Sequence, residues 1–568
     1  MKTKIKYYLH AGVVALAATT ACISCTDTWD EHYDINYGSV PSQSLWETIQ
    51  QDSELAPFAR VLDACNYDTL LSAQQSYTVW APKITDAEAD AYINQYRLEK
   101  SQGKKEEENS VVKQFIKNHV AMYNYQLHST SADTVEMMNG KRMTLTQSSF
   151  NNNVEIIANA GKPARNGYLY KLNGKEEFFP NVWERIQADT IGGDNALDSV
   201  ANFIASYNTY LFDASSSVPG GVVDGQIVYL DSVTYLYNMI FTSFQAHIDR
   251  EDSVYWALMP TNKVWREKIP QYEQYFVFHN DIVTRDSLQH EQARIGLIYD
   301  AFFNMRNKTE AQVQDSICSV NYNYSRYSYD KQNVFMKPFS GDGIFAGLEQ
   351  PFEASNGRVY KSNDWRILPE ESFLHTSIVQ AENPGRYTLG SPNEAAENMI
   401  GGTIYASGSK YKVSGGAYLS VQDKRGYRKQ KPAVTFEIPS IYSNCAYDIK
   451  IVFATPLAMD TLSKDTMPRR VTAYLQYYNS STATSFKTQQ LQTKEICATR
   501  MDTLTFTQPE GFTFPISNLG DDTPRVKLYI ESAAERTEIS SGTISNNLLI
   551  DCIIFEPRTA PVNNDEDN

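Results

Sequence analysis

Two cysteines three positions apart, Cys22 and Cys25 in the run CISCTDTWDEHYD, are the first residues whose type and spacing could do chemistry. Such a pair makes a redox couple or half of a zinc site. Either use needs a folded scaffold around the thiols, and zinc needs a second ligand pair. No such pair stands nearby in the sequence. Further along there is no phosphate-binding loop, no G-x-G-x-x-G after a strand, no H-E-x-x-H and no G-x-S-x-G. Eight histidines occur in the whole chain, none of them paired at helical metal spacing. His119 falls in an apolar run, where the expectation is a hydrogen-bonded core group. Asp and Glu are plentiful, so two carboxylates could meet in space as glycosidases require, yet no local signature singles out a pair. The residues therefore favour a protein that binds rather than transforms.

The residues around the cysteines say what such a pair is for. Lys2, Lys4 and Lys6 precede an apolar stretch, Ala11–Ala18, that is too short to span a bilayer. Residues 1–24 are expected to be a secretory signal. Ser24 before Cys25 and Ala21 before Cys22 resemble the small residue of a bacterial lipobox, although the usual leucine three positions upstream is missing from both. Lipidation is expected at Cys25, because a polar tether (residues 25–40) starts there at once; Cys22 is the alternative, and an ordinary secreted protein the other. Several acyl chains on one cysteine make attachment stable. Asp27, Asp30, Glu31 and Asp34 resemble the acidic tether that sends some bacterial lipoproteins to the outer cell surface. The expected location is the bacterial outer membrane, surface-exposed.

Bulk properties narrow the partners. The chain has 568 residues, 42% of them hydrophobic, and a net charge of −16, so it can build real cores and repels nucleic acid and anionic lipid. Cys65, Cys318, Cys445, Cys497 and Cys552 are scattered and odd in number, which is no disulfide scaffold. Cys445 and Cys552, in strand-like runs, are expected to be buried small hydrophobes. The 37 tyrosines suit sugar or protein contacts as well as sheet faces.

Three landmarks occur twice in one order. Leu45-Trp-Glu-Thr-Ile49, Tyr77-Thr-Val-Trp-Ala-Pro82 and Asn166-Gly-Tyr-Leu-Tyr-Lys171 are followed by Val182-Trp-Glu-Arg-Ile186, Tyr255-Trp-Ala-Leu-Met-Pro260 and Asn356-Gly-Arg-Val-Tyr-Lys361. The spacing is far longer than a solenoid period, so these are tandem globular domains. Leu45, Ile49, Leu55, Phe58, Val61 and Leu62 recur at near-helical spacing, and Ser44 with Glu47 forms a capping box. Val112, Phe115, Ile116, His119 and Val120 are expected on one helical face. The run SLWETIQQDSELAPFARVLDACNYDTLLSAQQSYTVWAP, followed by IKNHVAMYNYQL and NGYLYKLNG, resembles a fasciclin-type domain over residues 41–180, with Trp80 in place of the usual Phe and Asn118-His119 matching the family's central motif. Residues 181–368 resemble a diverged copy with insertions and no evident counterpart of that motif. GGDNALD and residues 215–225 are expected to be loops of this enlarged copy. The resemblance implies small α+β domains used for adhesion and ligand binding.

After Pro369 the helical spacing stops, and PAVTFEIPS, AYDIKIVFATP, RRVTAYLQYYN, RVKLYIESA and NLLIDCIIFEP alternate as strands do. In RVKLYI, Val526, Leu528 and Ile530 point one way and Lys527 and Tyr529 the other. Residues 369–558 are expected to form an all-β sandwich, ahead of an acidic tail at 559–568. IVQAENPGRY, GGAYLSV and NNLLIDCIIFEP resemble strands of a galactose-binding-like jelly roll, the fold of several carbohydrate-binding modules. That resemblance implies a structural calcium held by Gln380, Glu382 and Asp551, with no other cofactor; the alternative is that these side chains merely satisfy strand ends. Tyr411, Tyr418 and Tyr427 are candidates for a sugar platform.

The fold class expected is thus two α+β fasciclin-like domains followed by a β-sandwich. The function expected is that of a lipid-anchored surface binding or adhesion protein, an accessory to outer-membrane uptake of glycan or peptide beside a SusC/SusD-type transporter. Tethering several modules there raises the effective concentration of ligand. The alternatives are a structural subunit of that complex and a glycan-degrading enzyme.

Overall fold

The computed structural model describes residues 41–558, apart from 128–131, 213, 215–217, 224, 232–233, 324–330, 407–409, 425–430 and 520–523. The expectations for Cys22, Cys25, the tether and the acidic tail lie outside the described residues. The chain divides into two compact units, Met1–Phe179 and Pro180–Asn568.

In the first unit, Ser44 and Glu47 close a capping box on the helix Leu45–Gln50 from both sides. Leu45, Ile49, Leu55, Phe58, Val61 and Leu62 are all fully buried. The helices Ala56–Ala64 and Tyr67–Ser72 are joined at Cys65 and Asn66, the latter in the left-handed conformation that turns the chain sharply. Tyr77–Pro82 then enters a seven-stranded sheet, antiparallel to Val120–Met122 on one side and parallel to Gly167–Leu172 on the other. The run around His119 is not one helix, as its spacing suggested. Val111–Ile116 makes a short π-helical stretch, and Val120 has already left it to pair with Val79. His119, between the two, is fully buried. The Glu176 N–H donates to its Nε2 (3.0 Å), so Nδ1 carries the proton and donates to the Phe115 carbonyl (2.8 Å). Burial pushes its pKa down to about 4, and the neutral ring is a satisfied core group.

The second unit repeats this geometry pair for pair. Tyr255–Pro260 runs parallel to Gly357–Ser362 in the register that joins Tyr77–Pro82 to Gly167–Leu172. In the first copy the Asn166 side chain accepts from the Leu45 N–H (2.8 Å) and donates to the carbonyls of Leu71 (2.9 Å) and Ala73 (2.8 Å). In the second, Asn356 accepts from the Val182 N–H (2.8 Å) and donates to the carbonyls of Ile248 (2.9 Å) and Arg250 (2.7 Å). The glycine after each asparagine has positive φ, and a Cβ there would lie 1.8 Å from the Tyr77 carbonyl oxygen at Gly167 and 1.7 Å from that of Tyr255 at Gly357. The NG dipeptides are thus structural joints, fastening the opening helix to the sheet.

The counterpart of Asn118-His119 emerges from the same register. The Trp80 N–H donates to the His119 carbonyl (2.9 Å), and the Leu258 N–H to that of Ala301 (2.8 Å). Asp300-Ala301 therefore occupies the second copy's position. At the place of the Asn66 turn, the second copy carries an antiparallel ribbon, Asn208–Phe212 against Thr234–Asn238, then Val218–Val223 against Gln226–Asp231. Val218–Val223 is thus a strand where a loop was expected. Its glycines and Pro219 fit a ribbon whose register is bulged.

The rest of the second unit is a two-sheet sandwich. One sheet orders Met399–Tyr405, Ala417–Asp423, Leu548–Pro557, Ala446–Phe453 and Asp502–Phe506, with Ser377–Gln380 also on Leu548–Pro557. The other orders Tyr387–Leu389, Ala433–Glu437, Val526–Ser532, Arg469–Tyr477 and Lys487–Gln490. Val434, Phe436, Leu528, Ile530, Val471 and Leu475 point inward and are at most 1% exposed. Cys445 and Cys552 are buried and free. The buried Arg525 of the sandwich reaches back to the second repeat and holds Asp281 through two nitrogens, each at 3.0 Å. The chain is thus multidomain, with a mixed α/β N-terminal region and a β-sandwich C-terminal region. Among the described residues, no helix is long and apolar enough to cross a membrane.

Candidate functional site

Two places on the sandwich gather groups that could bind something. The first is where Ser377–Gln380 ends beside Leu548–Pro557. Gln380 pairs with Cys552, and the Ala381 N–H donates to the Asp551 carbonyl (3.0 Å), which brings Gln380, Glu382 and Asp551 to one end of the sheet. A loop closes over them. The Ser414 N–H donates to both Asp551 carboxylate oxygens (3.0 and 3.2 Å), and Gln380 Nε2 donates to the Ser414 hydroxyl (2.8 Å). Gly415 follows at φ +63°, and a Cβ on it would sit 3.0 Å from Glu382 Oε1 and 3.8 Å from Gln380 Oε1.

The electrostatics of this cluster are unbalanced. Gln380 Oε1 and Glu382 Oε2 are buried and accept no hydrogen bond, and among the described residues neither Glu382 nor Asp551 has an ion-pair partner. Burial, together with the neighbouring Glu382 charge and against the Ser414 N–H, pushes Asp551 up to about 7; burial also raises Glu382. Buried carboxylates without compensation are costly, so the cluster has room for one positive charge, a proton or a cation. Among the described residues no three His, Cys, Asp or Glu side chains gather, and the third oxygen here is an amide's. An all-oxygen set of this kind fits a hard cation such as calcium and not a soft one.

The second place is the outward face of the sheet containing Val526–Ser532. Thr435, Tyr529 and Tyr474 stand side by side across three strands, and the Tyr474 and Tyr529 rings stack at 4.6 Å and 14°. On the same face lie Lys527 and Glu531, two positions either side of Tyr529. Glu531 is held from the loop at 391–393 by the Ser391 hydroxyl and by Asn393 Nδ2 (3.1 Å). Burial first, then the Glu531 charge, pushes Tyr529 up to about 12, so its hydroxyl keeps its proton. At the border of the face, Lys527 Nζ lies 5.5 Å from the centroid of Phe486, which stacks on Tyr478 at 4.3 Å. Tyr529 (3% exposed) and Glu531 (6%) are themselves covered, so what this face offers a ligand is the half-buried Tyr474, Thr435 and Lys527, with Tyr529 stacked as a backing ring. A ring, a hydroxyl and an ammonium offer both apolar contact and hydrogen bonds to a polyhydroxylated ligand.

The tyrosines picked out in the sequence lie elsewhere. Tyr418 is 2% exposed, packed against Ala454, Ala458 and Leu549, so it presents no ring to a ligand. A small second core covers that side of its sheet. Tyr411 is half-buried against the same cluster, with Lys410 Nζ 5.4 Å from its ring centroid. Tyr427 lies outside the described residues. The strip missed was signalled by the alternation in RVKLYIES and TAYLQYY, which places Lys527, Tyr529, Glu531, Thr472, Tyr474 and Gln476 on one face; what alternation leaves open is which of them stay uncovered, and Thr472, Tyr529 and Glu531 do not.

A β-sandwich preceded by two α/β repeats is the class of protein this architecture defines. Comparison with known proteins gives the following likenesses. No protein family and no curated protein matches the sequence. Among solved structures, the chain is similar to the CBM22-1–GH10 modules of endo-1,4-β-D-xylanase 10B from Clostridium thermocellum, at 10% identity over 33% of this chain and 28% of that one, with a TM-score of 0.21. It is similar to the CBM22-2 xylan-binding domain of Paenibacillus barcinonensis Xyn10C at 10% identity, over 33% of this chain and 99% of that one (TM-score 0.21). It is also similar to a FAS1 domain pair from the insect cell adhesion molecule Fasciclin I at 9% identity, over 58% of this chain and 97% of that one (TM-score 0.17).

Proposed function

We propose that this protein is a lipid-anchored surface binding protein that holds a glycan on the outward face of its sandwich, as an accessory to outer-membrane nutrient uptake beside a SusC/SusD-type transporter. The observation that carries the glycan reading is the strip built on the Tyr474–Tyr529 stack, with Lys527 and Glu531 beside it. Tyr474, Thr435 and Lys527 are half-buried on the side of the sheet away from the sandwich core, with Tyr529 and Glu531 buried beside them. A calcium ion held by Gln380, Glu382 and Asp551 would brace the loop at Ser414 against the strand end; the support is the pair of buried oxygens that accept no hydrogen bond. The anchor rests on the sequence alone, on Cys25 and the apolar run before it.

Affinity electrophoresis of the pure protein against a panel of soluble polysaccharides tests the binding reading. Retardation by at least one glycan is expected, weakened about tenfold by Tyr474→Ala and unchanged by Tyr405→Ala, an exposed tyrosine on the opposite sheet. Retardation by none, with co-purification of a transporter from solubilised outer membranes, would replace it with a structural subunit. Turnover of a glycan would replace it with an enzyme. The anchor is tested by Cys25→Ala, which should release the protein from the membrane fraction.

A further inference from the structure

The face that carries Tyr474 continues past the ends of its strands. Arg469–Tyr477 pairs with Lys487–Gln490 from Tyr474↔Gln490 to Tyr477↔Lys487. One step further, Tyr478 and Phe486 stack at 4.3 Å and 25°. Lys527 lies on the outward face, and its Nζ is 5.5 Å from the Phe486 ring centroid, so the ring pair is on that face as well. Tyr478 also keeps the alternation of Tyr474 and Gln476. From Tyr474 to Tyr478 is about 13 Å, at about 3.3 Å per residue.

The second repeat holds this ring pair in place. The Asn280 N–H donates to the Ser481 carbonyl (2.9 Å), and His279 Nε2 lies 2.8 Å from the Ala483 carbonyl. A carbonyl only accepts, so Nε2 carries the proton and donates. Both bonds fasten the loop that joins Tyr478 to Phe486. The buried His279 also lays its ring 4.6 Å from that of Tyr478. Two residues on, Asp281 grips Arg525 of the sandwich, which stands two positions before Lys527. Tyr478 and Phe486 themselves stay half-buried. Among the described residues, neither ring belongs to the core of the unit or packs against it. A domain is thus holding a stacked pair of rings at the surface of its neighbour, outside the core of either.

We infer that Phe486, backed by Tyr478 and flanked by Lys527, is a second sugar subsite, and that the second repeat belongs to the glycan site because His279 positions it. The inference rests on the glycan reading of the Tyr474 strip. Phe486 offers apolar contact to a sugar ring, and the Lys527 ammonium offers a donor to its hydroxyls. The separation from Tyr474 is too long for one sugar to bridge, so the two subsites engage different units of one chain. Once the first is filled, the second contact is intramolecular and adds to the affinity. The class of ligand is therefore an extended glycan chain rather than a free monosaccharide or disaccharide. Phe486 touches the chain; His279 acts only through the loop.

The test titrates the purified full chain calorimetrically with the disaccharides and hexasaccharides of cellulose, xylan and mannan. At least one hexasaccharide should bind, and more tightly than its disaccharide. Phe486→Ala should lower the ratio of the two affinities about tenfold by weakening the hexasaccharide alone, whereas Tyr474→Ala should weaken both. His279→Ala should lower the ratio as Phe486→Ala does. His279→Gln should restore it, because the amide can still donate to the Ala483 carbonyl. An unchanged ratio in Phe486→Ala, with Tyr474→Ala still weakening both sugars, overturns the subsite and leaves the glycan reading standing. So does an equal loss of both sugars in Phe486→Ala, which would make the ring a support of the Tyr474 strip. A ratio lost in His279→Gln as in His279→Ala overturns the positioning role. Binding of no hexasaccharide by the wild-type chain removes the glycan reading, and the subsite with it.

Discussion

Asp300 stands in the second repeat at the register position that Asn118 holds in the first, one residue before the carbonyl that receives the sheet N–H. The exchange of amide for carboxylate is met by a change of partners. Asn118 accepts from Asn139 Nδ2 (2.9 Å), whereas Asp300, fully buried, accepts from the Ser319 hydroxyl (2.5 Å) and Asn333 Nδ2 (2.7 Å). Both of its donors come from the hairpin Ser316–Asn323/Lys331–Met336.

This carboxylate makes the second unit sensitive to pH. Burial raises Asp300 to about 6 from 3.8, with the hydrogen bonds opposing the shift. A group whose folded value is raised contributes stability that is complete below the unfolded value and is lost as pH rises through the folded one. Stability of the unit should therefore fall between about pH 4 and pH 6 by something on the order of 3 kcal/mol. Asp300→Asn should remove that share of the dependence and leave the part due to Asp551, because the amide keeps an acceptor for Asn333 and can donate to the Ser319 hydroxyl. Thermal melts of both proteins at pH 4, 6 and 8 check it; an unchanged slope in the variant would show that another group titrates.

The paired clamps of Asn166 and Asn356 predict matched losses. Each alanine substitution strands one backbone N–H and two carbonyls among buried neighbours, at a cost of about 2–4 kcal/mol. Because the two asparagines belong to separate compact units, Asn166→Ala should lower one calorimetric transition and Asn356→Ala the other. Gly167→Ala and Gly357→Ala should be more severe than either, since the added Cβ meets a backbone carbonyl that has no room to retreat.

How far the sequence could be read follows from which residues do backbone work. The W-E, Y-x-x-x-x-P and N-G landmarks were visible twice because a cap, a strand end and a carbonyl-hugging turn each demand a particular residue type, whatever packs around them. Asp300-Ala301 was not visible, because its role is set by register and the residue type had changed with its partners. Gln380, Glu382 and Asp551 were picked out by resemblance, and the structure draws them together; Ser414 and Gly415, which close the cluster from a loop, carry no local signal. The ribbon base was silent for a different reason. NTYLF and TYLYN alternate no polar and apolar faces, since neither face is committed to a core.

The buried and half-buried tyrosines should separate by readout. Tyr418→Ala opens a cavity beside Leu549 and should cost about 3–5 kcal/mol in thermal or denaturant unfolding, with any glycan retardation of the folded fraction unchanged. Tyr474→Ala removes a half-buried ring from the outward strip and should cost less stability while weakening retardation. The reverse pattern would move the binding face to the other sheet.

The cluster at Asp551 predicts opposite pH trends with and without calcium. In chelator the positive charge it lacks is supplied by a proton, and Asp551 is raised to about 7 from 3.8, by burial first and by Glu382 as well. That proton's contribution is complete below about pH 4 and is lost as pH rises through about 7, so the melting temperature should fall across that window. Calcium replaces the proton most effectively once Asp551 is ionised, so its stabilisation should be small at pH 5 and full at pH 8. At a hundredfold excess over its dissociation constant it amounts to about 2.7 kcal/mol. Glu382→Gln should weaken the calcium response, and Asp551→Asn should abolish it and also remove from the trend in chelator the part above that due to Asp300. Melts in EDTA and in calcium across this range, with calorimetric titration of calcium into the wild-type chain and both variants, decide the matter. A melting temperature indifferent to calcium at pH 8 would leave the proton as the cluster's occupant.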